Sequence, residues 1–352
     1  MEEYRQAHDR VPISRLINAL PEAVIVIGMT DHVLAVNAPA RSLFPSLRPN
    51  DLLSRSLRAP EVLDAIKRGR LSRKAEKVTW LERMPVERFF EVNVAPIEGA
   101  DIEPALIITL RDLTEARRVE RMRVDFVANA SHELRTPLAS LLGFIETLQG
   151  PARGDEEART KFLAIMRDQA QRMARLVDDL LSLSRIEQNL HLQPRTPVDL
   201  VAVLRHIADT LTPMASAADV ALKLDAPDGI CVTGDRDELL RVVENLVENA
   251  IKYGASDFAT VNRQVEIAAM AEGKQAILSV RDHGPGIPPE HLPRLTERFY
   301  RVDARQSRAK GGTGLGLAIV KHIVARHRGR LGIESKPGEG AIFSVTLPLH
   351  KG

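Results

Sequence analysis

The sequence has a single cysteine, Cys231, among 352 residues. That excludes an internal disulfide and a cysteine-rich metal centre, and it fits a reducing compartment. Long apolar runs are also missing. The longest candidate, Ala23 to Met29, is far short of the roughly 18 residues needed to cross a bilayer. The opening residues, MEEYRQAHDR, are charged and carry no apolar h-region, so they do not read as a secretory signal. A charge excess is absent too. Lys plus Arg is 49, Asp plus Glu is 47 and the net charge is +2, which gives no electrostatic reason to expect nucleic acid or a strongly acidic partner. The expectation is a soluble, cytoplasmic chain as given, with membrane association left to an upstream segment absent from this sequence or to a partner.

What is present is ordinary for a globular protein: 44% hydrophobic and 27% charged residues. Three regions differ in pattern. Residues 10–115 alternate short apolar runs with turn residues, which predicts a small α+β module with one antiparallel sheet. Its strands are expected near Ala23–Met29, Val33–Val36, Glu76–Leu81, Arg88–Pro96 and Ala105–Arg111. Residues 116–192 carry long helical periodicity, broken by GPARGD at Gly150–Asp155. Two helices joined by a turn make a thin hairpin that cannot bury its own apolar stripe, so it should pair with a second copy as a dimeric four-helix bundle. Packing against the rest of the chain is the alternative. Residues 195–350 mix helix and strand again, which makes the whole a multidomain α+β protein.

The third region carries three motifs. On a helix over Arg236–Tyr253, at about 100° per residue, Leu239, Leu240, Val243, Leu246, Val247, Ala250 and Ile251 share one side. Asn245, Asn249 and Lys252 share the other, which alone is no more than a polar surface. Next, DHGPGI at Asp282–Ile287 ends a predicted strand with a carboxylate, and glycines follow at alternate positions. Such a carboxylate can accept a hydrogen bond from an exocyclic amine, and glycine lets backbone approach a ligand closely. Last, GGTGLGL at Gly311–Leu317 runs into a helical pattern, where free N–H groups suit phosphate. It is not a Walker loop. It is also a poor dinucleotide fingerprint, since Arg308 and Lys310 precede it where an apolar strand is needed.

Taken in order, these motifs resemble the ATP-binding domain, an α/β sandwich, shared by histidine kinases, gyrase-type topoisomerases, Hsp90 chaperones and MutL-type repair proteins. The resemblance implies that Asn249 holds Mg²⁺ together with the ATP phosphates. It puts Asn245, Lys252 and Tyr253 near the phosphates and has Asp282 read the adenine amine, with Gly284, Gly286 and Ile287 beside it. Gly312, Thr313, Gly314, Leu315 and Gly316 would form the phosphate loop. Pro288–Lys310 would form a lid that includes Arg298; its box, ERFYR at Glu297–Arg301, has Thr296 where the family usually has phenylalanine.

The fold alone does not choose among these activities. The string SHELRTPL at Ser131–Leu138 in the first hairpin helix does. It resembles the phospho-acceptor box of histidine kinases. Imidazole can attack phosphorus through one ring nitrogen if the other gives up its proton, and Glu133, next to His132, is placed to take it. Thr136 lies one turn along the same face. The resemblance gives its hydroxyl a water-positioning role in dephosphorylating the partner. Pro137 should bend the helix just past the histidine.

Residues 10–115 resemble a PAS sensor domain, through LPEAVIVIGMTDHVLAVNAPARSLF, with Asn37 after the second strand, and through the exit Asp112-Leu-Thr-Glu115. No flavin-cysteine motif occurs there and His32 alone is a poor case for haem, so the sequence does not identify a PAS ligand. The combination of regions resembles phosphate-regulon sensor kinases. That implies a homodimer using ATP and Mg²⁺, which autophosphorylates His132 and passes the phosphoryl group to an aspartate on an OmpR-type response regulator. The competing readings are an ATP-driven conformational machine and a non-catalytic scaffold.

Overall fold

The computed structural model describes residues 13–83, 86–99, 102–254, 263–303, 307 and 311–350. The opening charged decapeptide, Arg308 and Lys310, and the rest of the lid at 304–306 and 309 lie outside the described residues. The chain divides into two compact units, with the boundary between Val127 and Ala128. No helix among the described residues is long and apolar enough to cross a membrane.

The first unit opens with α1 (Ile13–Asn18), β1 (Ala23–Gly28), β2 (Val33–Val36) and α2 (Ala38–Leu43). Next come α3 (Pro60–Ser72), β3 (Glu76–Glu82), β4 (Arg88–Gly99) and β5 (Ile102–Asp112). The five strands form one antiparallel sheet in the order β2-β1-β5-β4-β3. Strand β1 has no polar face because both its sides are covered. Ile25 and Ile27 join the main core with Val62 and Ile66 of α3, and Val24 and Val26 pack with Ile17 and Ala105. Trp80 and Phe90 stack at 5.0 Å within the main core. Asn37 is fully buried and fully used. Its oxygen accepts from the amides of Val24 (2.9 Å) and Ala40 (3.0 Å), and its nitrogen donates to the carbonyls of Ile17 (3.1 Å) and Glu22 (2.7 Å). It therefore ties α1, β1 and the start of α2 together, as a buried amide must if it is not to destabilise the fold.

Helix α4 (Thr114–Gln149) runs across the unit boundary and continues through Pro137. Proline leaves the Glu133 carbonyl without its usual amide donor but does not end the helix. Helix α5 (Glu156–Gln188) starts at an Asp155 cap that accepts from the Ala158 amide at 2.9 Å. Phe144 and Phe162 pack 5.1 Å apart between α4 and α5. Leu138, Leu142 and Ile145 of α4 and Leu163, Val177 and Leu181 of α5 stay exposed. Exposed apolar side chains gathered on one hairpin are the kind of surface that marks an interaction face.

The remainder comprises β6 (Thr196–Asp199), α6 (Leu200–Ala217), β7 (Ala221–Asp225), β8 (Cys231–Gly234) and α7 (Arg236–Gly254). Then follow β9 (Gln264–Glu272), β10 (Gln275–Asp282), α8 (Gly316–Arg326), β11 (Arg330–Ser335) and β12 (Ala341–Pro348). Five strands make a mixed sheet in the order β11-β12-β10-β9-β7, in which the β7–β9 pair is parallel. Helix α7 lies between α6 and α8 and packs on β9 and β10. Strand β6 contains Pro197 and pairs with β8 alone, an edge setting in which proline is tolerated, and Pro289–Arg294 forms a 3₁₀ turn. Fully buried His327 accepts from the Asp235 amide through Nε2 (3.0 Å), while Nδ1 sits 2.8 Å from the Ile323 carbonyl. Accepting through Nε2 needs the neutral ring with its proton on Nδ1, and burial lowers the pKa against the raising effect of the Ile323 hydrogen bond.

Candidate active site

The alternation of β10 sets the first site residue. Ala276, Leu278 and Val280 point into the core, and period two carries Asp282 in after them. Asp282 is 7% exposed, and its Oδ1 accepts from the Gly284 amide at 2.9 Å. Burial raises its pKa, against the lowering effect of amide hydrogen bonds from Gly284 and Ala341. Two of the motif glycines are sterically required. A Cβ on Gly284 would stand 2.8 Å from the Gly254 Cα, and one on Gly286, whose φ is +70°, would overlap the Lys336 carbonyl.

Asp282 opens onto a cavity of about 610 Å³ walled by α7, the glycine loop and α5. From α7, Asn245, Asn249, Lys252 and Tyr253 line it. Leu240 lines it as well, which corrects its assignment to the apolar side; Val242 takes the core position instead. Asn245 donates to the Arg241 carbonyl at 2.8 Å, and Lys252 is ion-paired with Glu248. The loop packs against this wall so closely that a Cβ on Gly316 would collide with the Asn245 Oδ1. Gly312 faces the Tyr253 and Ser307 hydroxyls, themselves 2.9 Å apart. Gly314 has φ +75°, and a Cβ there would be 2.9 Å from Phe299 Cα. Phe299 itself has φ +64°, so lid box and glycine loop are locally strained against each other. Leu315 is buried, its amide 3.3 Å from the Thr313 hydroxyl, and no side chain caps the start of α8. Those uncapped N–H groups are a ready anion site.

Arg298, Gly284 and Leu315 lie off the cavity lining. Arg298 does not line the cavity; it is ion-paired with Glu187 of α5, an acid on a neighbouring helix that outcompetes open space. Gly284 and Leu315 act behind the wall. His283, inside the same glycine motif, is half-buried and sits 3.2 Å from Glu266.

His132 itself is exposed on α4. The Thr136 hydroxyl donates to its carbonyl at 3.2 Å. Glu133 is gripped by Arg301 through two bonds of 3.1 and 2.9 Å, with Arg172 of α5 at 3.4 Å. Arg301 also lines the cavity and donates to the Thr313 carbonyl at 2.8 Å. One guanidinium thus joins the glycine loop to the carboxylate beside His132.

Residues 122–189 match the His Kinase A (phospho-acceptor) domain, and residues 234–351 match the histidine kinase-, DNA gyrase B- and HSP90-like ATPase. The phospho-acceptor match beside the ATPase match points to the kinase branch of that ATPase family. The chain belongs to the sensor histidine kinases. The kinase is 42% identical over 238 residues to the phosphate regulon sensor protein PhoR of Pseudomonas aeruginosa, covering 68% of this chain and 53% of that one. It is 38% identical over 247 residues to the sensor protein kinase WalK of Staphylococcus aureus, covering 69% of this chain and 58% of WalK. The chain therefore spans a little over half the length of these relatives. The histidine kinase ThkA, solved in complex with the response regulator protein TrrA, shares the fold, with TM-score 0.51 and 22% identity over 96% of this kinase and 98% of ThkA.

Sequence reasoning missed Arg301, Glu244 and the α5 residues Arg175, Asp178 and Asp179, all on the cavity wall. The Glu-Asn pairs at 244–245 and 248–249 were a usable signal for Glu244, which lies one helical turn from Glu248. Burial, then the Glu248 charge, raises its pKa.

Proposed function

We propose that this kinase moves the γ-phosphoryl group of ATP to His132 and then to an aspartate of a response regulator. The observation that carries this is Arg301, which lines the cavity and holds the carboxylate next to the histidine. In the first step a nitrogen–phosphorus bond forms at His132, the bond to the ADP oxygen breaks, and Glu133 takes the proton leaving the other ring nitrogen. Asp282 accepts from the adenine amine. The glycine loop, from Gly312 to Gly316, and the start of α8 face the phosphates, with Asn245, Lys252 and Tyr253 opposite. Among the described residues no group of three or more metal-binding side chains forms a cage. Mg²⁺ would arrive with the nucleotide and gain Asn249 as its protein ligand. When bound, the ion neutralises charge on the transferring phosphoryl group.

The finer assignments belong to the same reading. The exposed leucines and valines of α4 and α5 support a homodimer built as a four-helix bundle. Thr136, exposed beside His132, suits water positioning for phosphatase activity toward the partner. The five-stranded unit supports a PAS-type sensor over residues 10–115, followed by the phosphotransfer hairpin over 116–192 and the catalytic domain over 195–350. The likeness to the phosphate-regulon relative favours a phosphate-regulon role and an OmpR-type partner. A chase tests the partner. Chain labelled from γ-labelled ATP is mixed with a panel of purified receiver domains. We expect an OmpR-type receiver to take the label at least about tenfold faster than the others, the usual scale of a one-contact preference. Equal slow transfer to all would reject that partner class.

A further inference from the structure

We infer that Arg175, a residue of the helical hairpin and not of the ATPase fold, completes the nucleotide site by contacting the phosphates of bound ATP. The inference rests on the kinase reading above and adds a residue to its site. Helix α5 forms one wall of the cavity through Arg175, Asp178 and Asp179. Arg175 stands at the phosphate end: a Cβ on Gly311, which opens the glycine loop, would lie 3.1 Å from its guanidinium. Asp282 and the adenine end are walled by other residues.

Charge accounting singles Arg175 out. Among the described residues, four cationic side chains line the cavity: Arg175, Arg241, Lys252 and Arg301. Arg241 is paired with Asp179 at 2.8 Å, Lys252 with Glu248, and Arg301 with Glu133 at 2.9 Å. Arg175 is the one with no carboxylate partner among the described residues. The same wall carries Asp178, Asp179, Glu244 and Glu248, so a polyanion entering here needs a cation not already neutralised. Arginine is suited to it, since its planar fork bonds phosphate oxygens in pairs.

Asp179 keeps the wall in place. It accepts from Arg241 and, at 2.8 Å, from the Thr313 hydroxyl of the glycine loop. Because the site is shared between hairpin and ATPase fold, triphosphate binding and docking on α5 favour each other by reciprocal linkage.

Titrating the full chain with AMPPNP and, separately, with AMP tests this. Arg175→Ala should weaken AMPPNP binding by about five- to tenfold, the scale of a partly solvated charge-assisted contact. Arg175→Lys should recover part of the loss, and AMP affinity should stay within about twofold. Unchanged AMPPNP affinity in Arg175→Ala would overturn the inference, as would an equal loss for AMP and AMPPNP, which marks a general structural effect. Failure of the unaltered chain to bind AMPPNP would overturn the kinase reading along with it.

Discussion

Replacing Glu133 with Gln should slow autophosphorylation of His132 by about 10²- to 10⁴-fold, the range of a lost general base. ATP affinity should move by less than about threefold, because Glu133 is not part of the cavity wall. The sign of the change is informative. In this structure both Glu133 oxygens are held by Arg301, and Arg172 adds a further contact. If that grip were the whole purpose of the carboxylate, Gln would loosen it and the kinase would run faster. If Glu133 takes the imidazole proton, the neutral amide cannot, and the rate falls. Single-turnover phosphorylation at saturating ATP separates the two, and a rate equal to or above that of the unaltered chain would refute the base assignment.

Asp282→Asn should weaken ATP binding by about 10- to 100-fold, since a charged, buried acceptor is replaced by an amide that offers one weaker acceptor and an opposing N–H. The substitution is nearly isosteric, and its oxygen can still accept from the Gly284 amide, so the fold should survive. A pH signature accompanies it. Burial raises the Asp282 pKa, so the ionised acceptor is lost on acidification before an ordinary carboxylate would be. ATP affinity should therefore fall early as pH drops, and the Asn variant should lack that fall. Calorimetric titration at several pH values measures both. An Asn variant that binds ATP like the unaltered chain would remove Asp282 from adenine recognition.

Much of the fold follows from local pattern. Period two in β10 places Asp282 at the end of a buried row, and period 3.6 in α7 separates Asn245 and Asn249 from Leu239, Leu246 and Val247. Turn chemistry at Gly150–Asp155 marks where α4 gives way to α5. The cavity residues supplied by these elements were legible for the same reason, since each motif sits on one element. What could not be read is what docking decides. Arg298 and Arg301 belong to the same lid box, yet one turns to Glu187 and the other to Glu133 and the glycine loop. Arg175 and Asp179 look like ordinary polar positions on α5, and they gain meaning because Thr313 and Arg241 pack against that helix. Leu240 faces the cavity because the ligand space lies just beyond the apolar seam, where helical phase alone cannot separate core from site.

Phosphate from ATP should come to rest on His132. Incubating the full chain and its His132→Ala variant with γ-labelled ATP, then treating both with acid and with alkali, tests it directly. The unaltered chain should carry protein-bound label that acid removes and alkali spares, and the variant should carry none although it still binds ATP. Label that persists on the variant, or ATP hydrolysis by the unaltered chain without labelled protein, would contradict it.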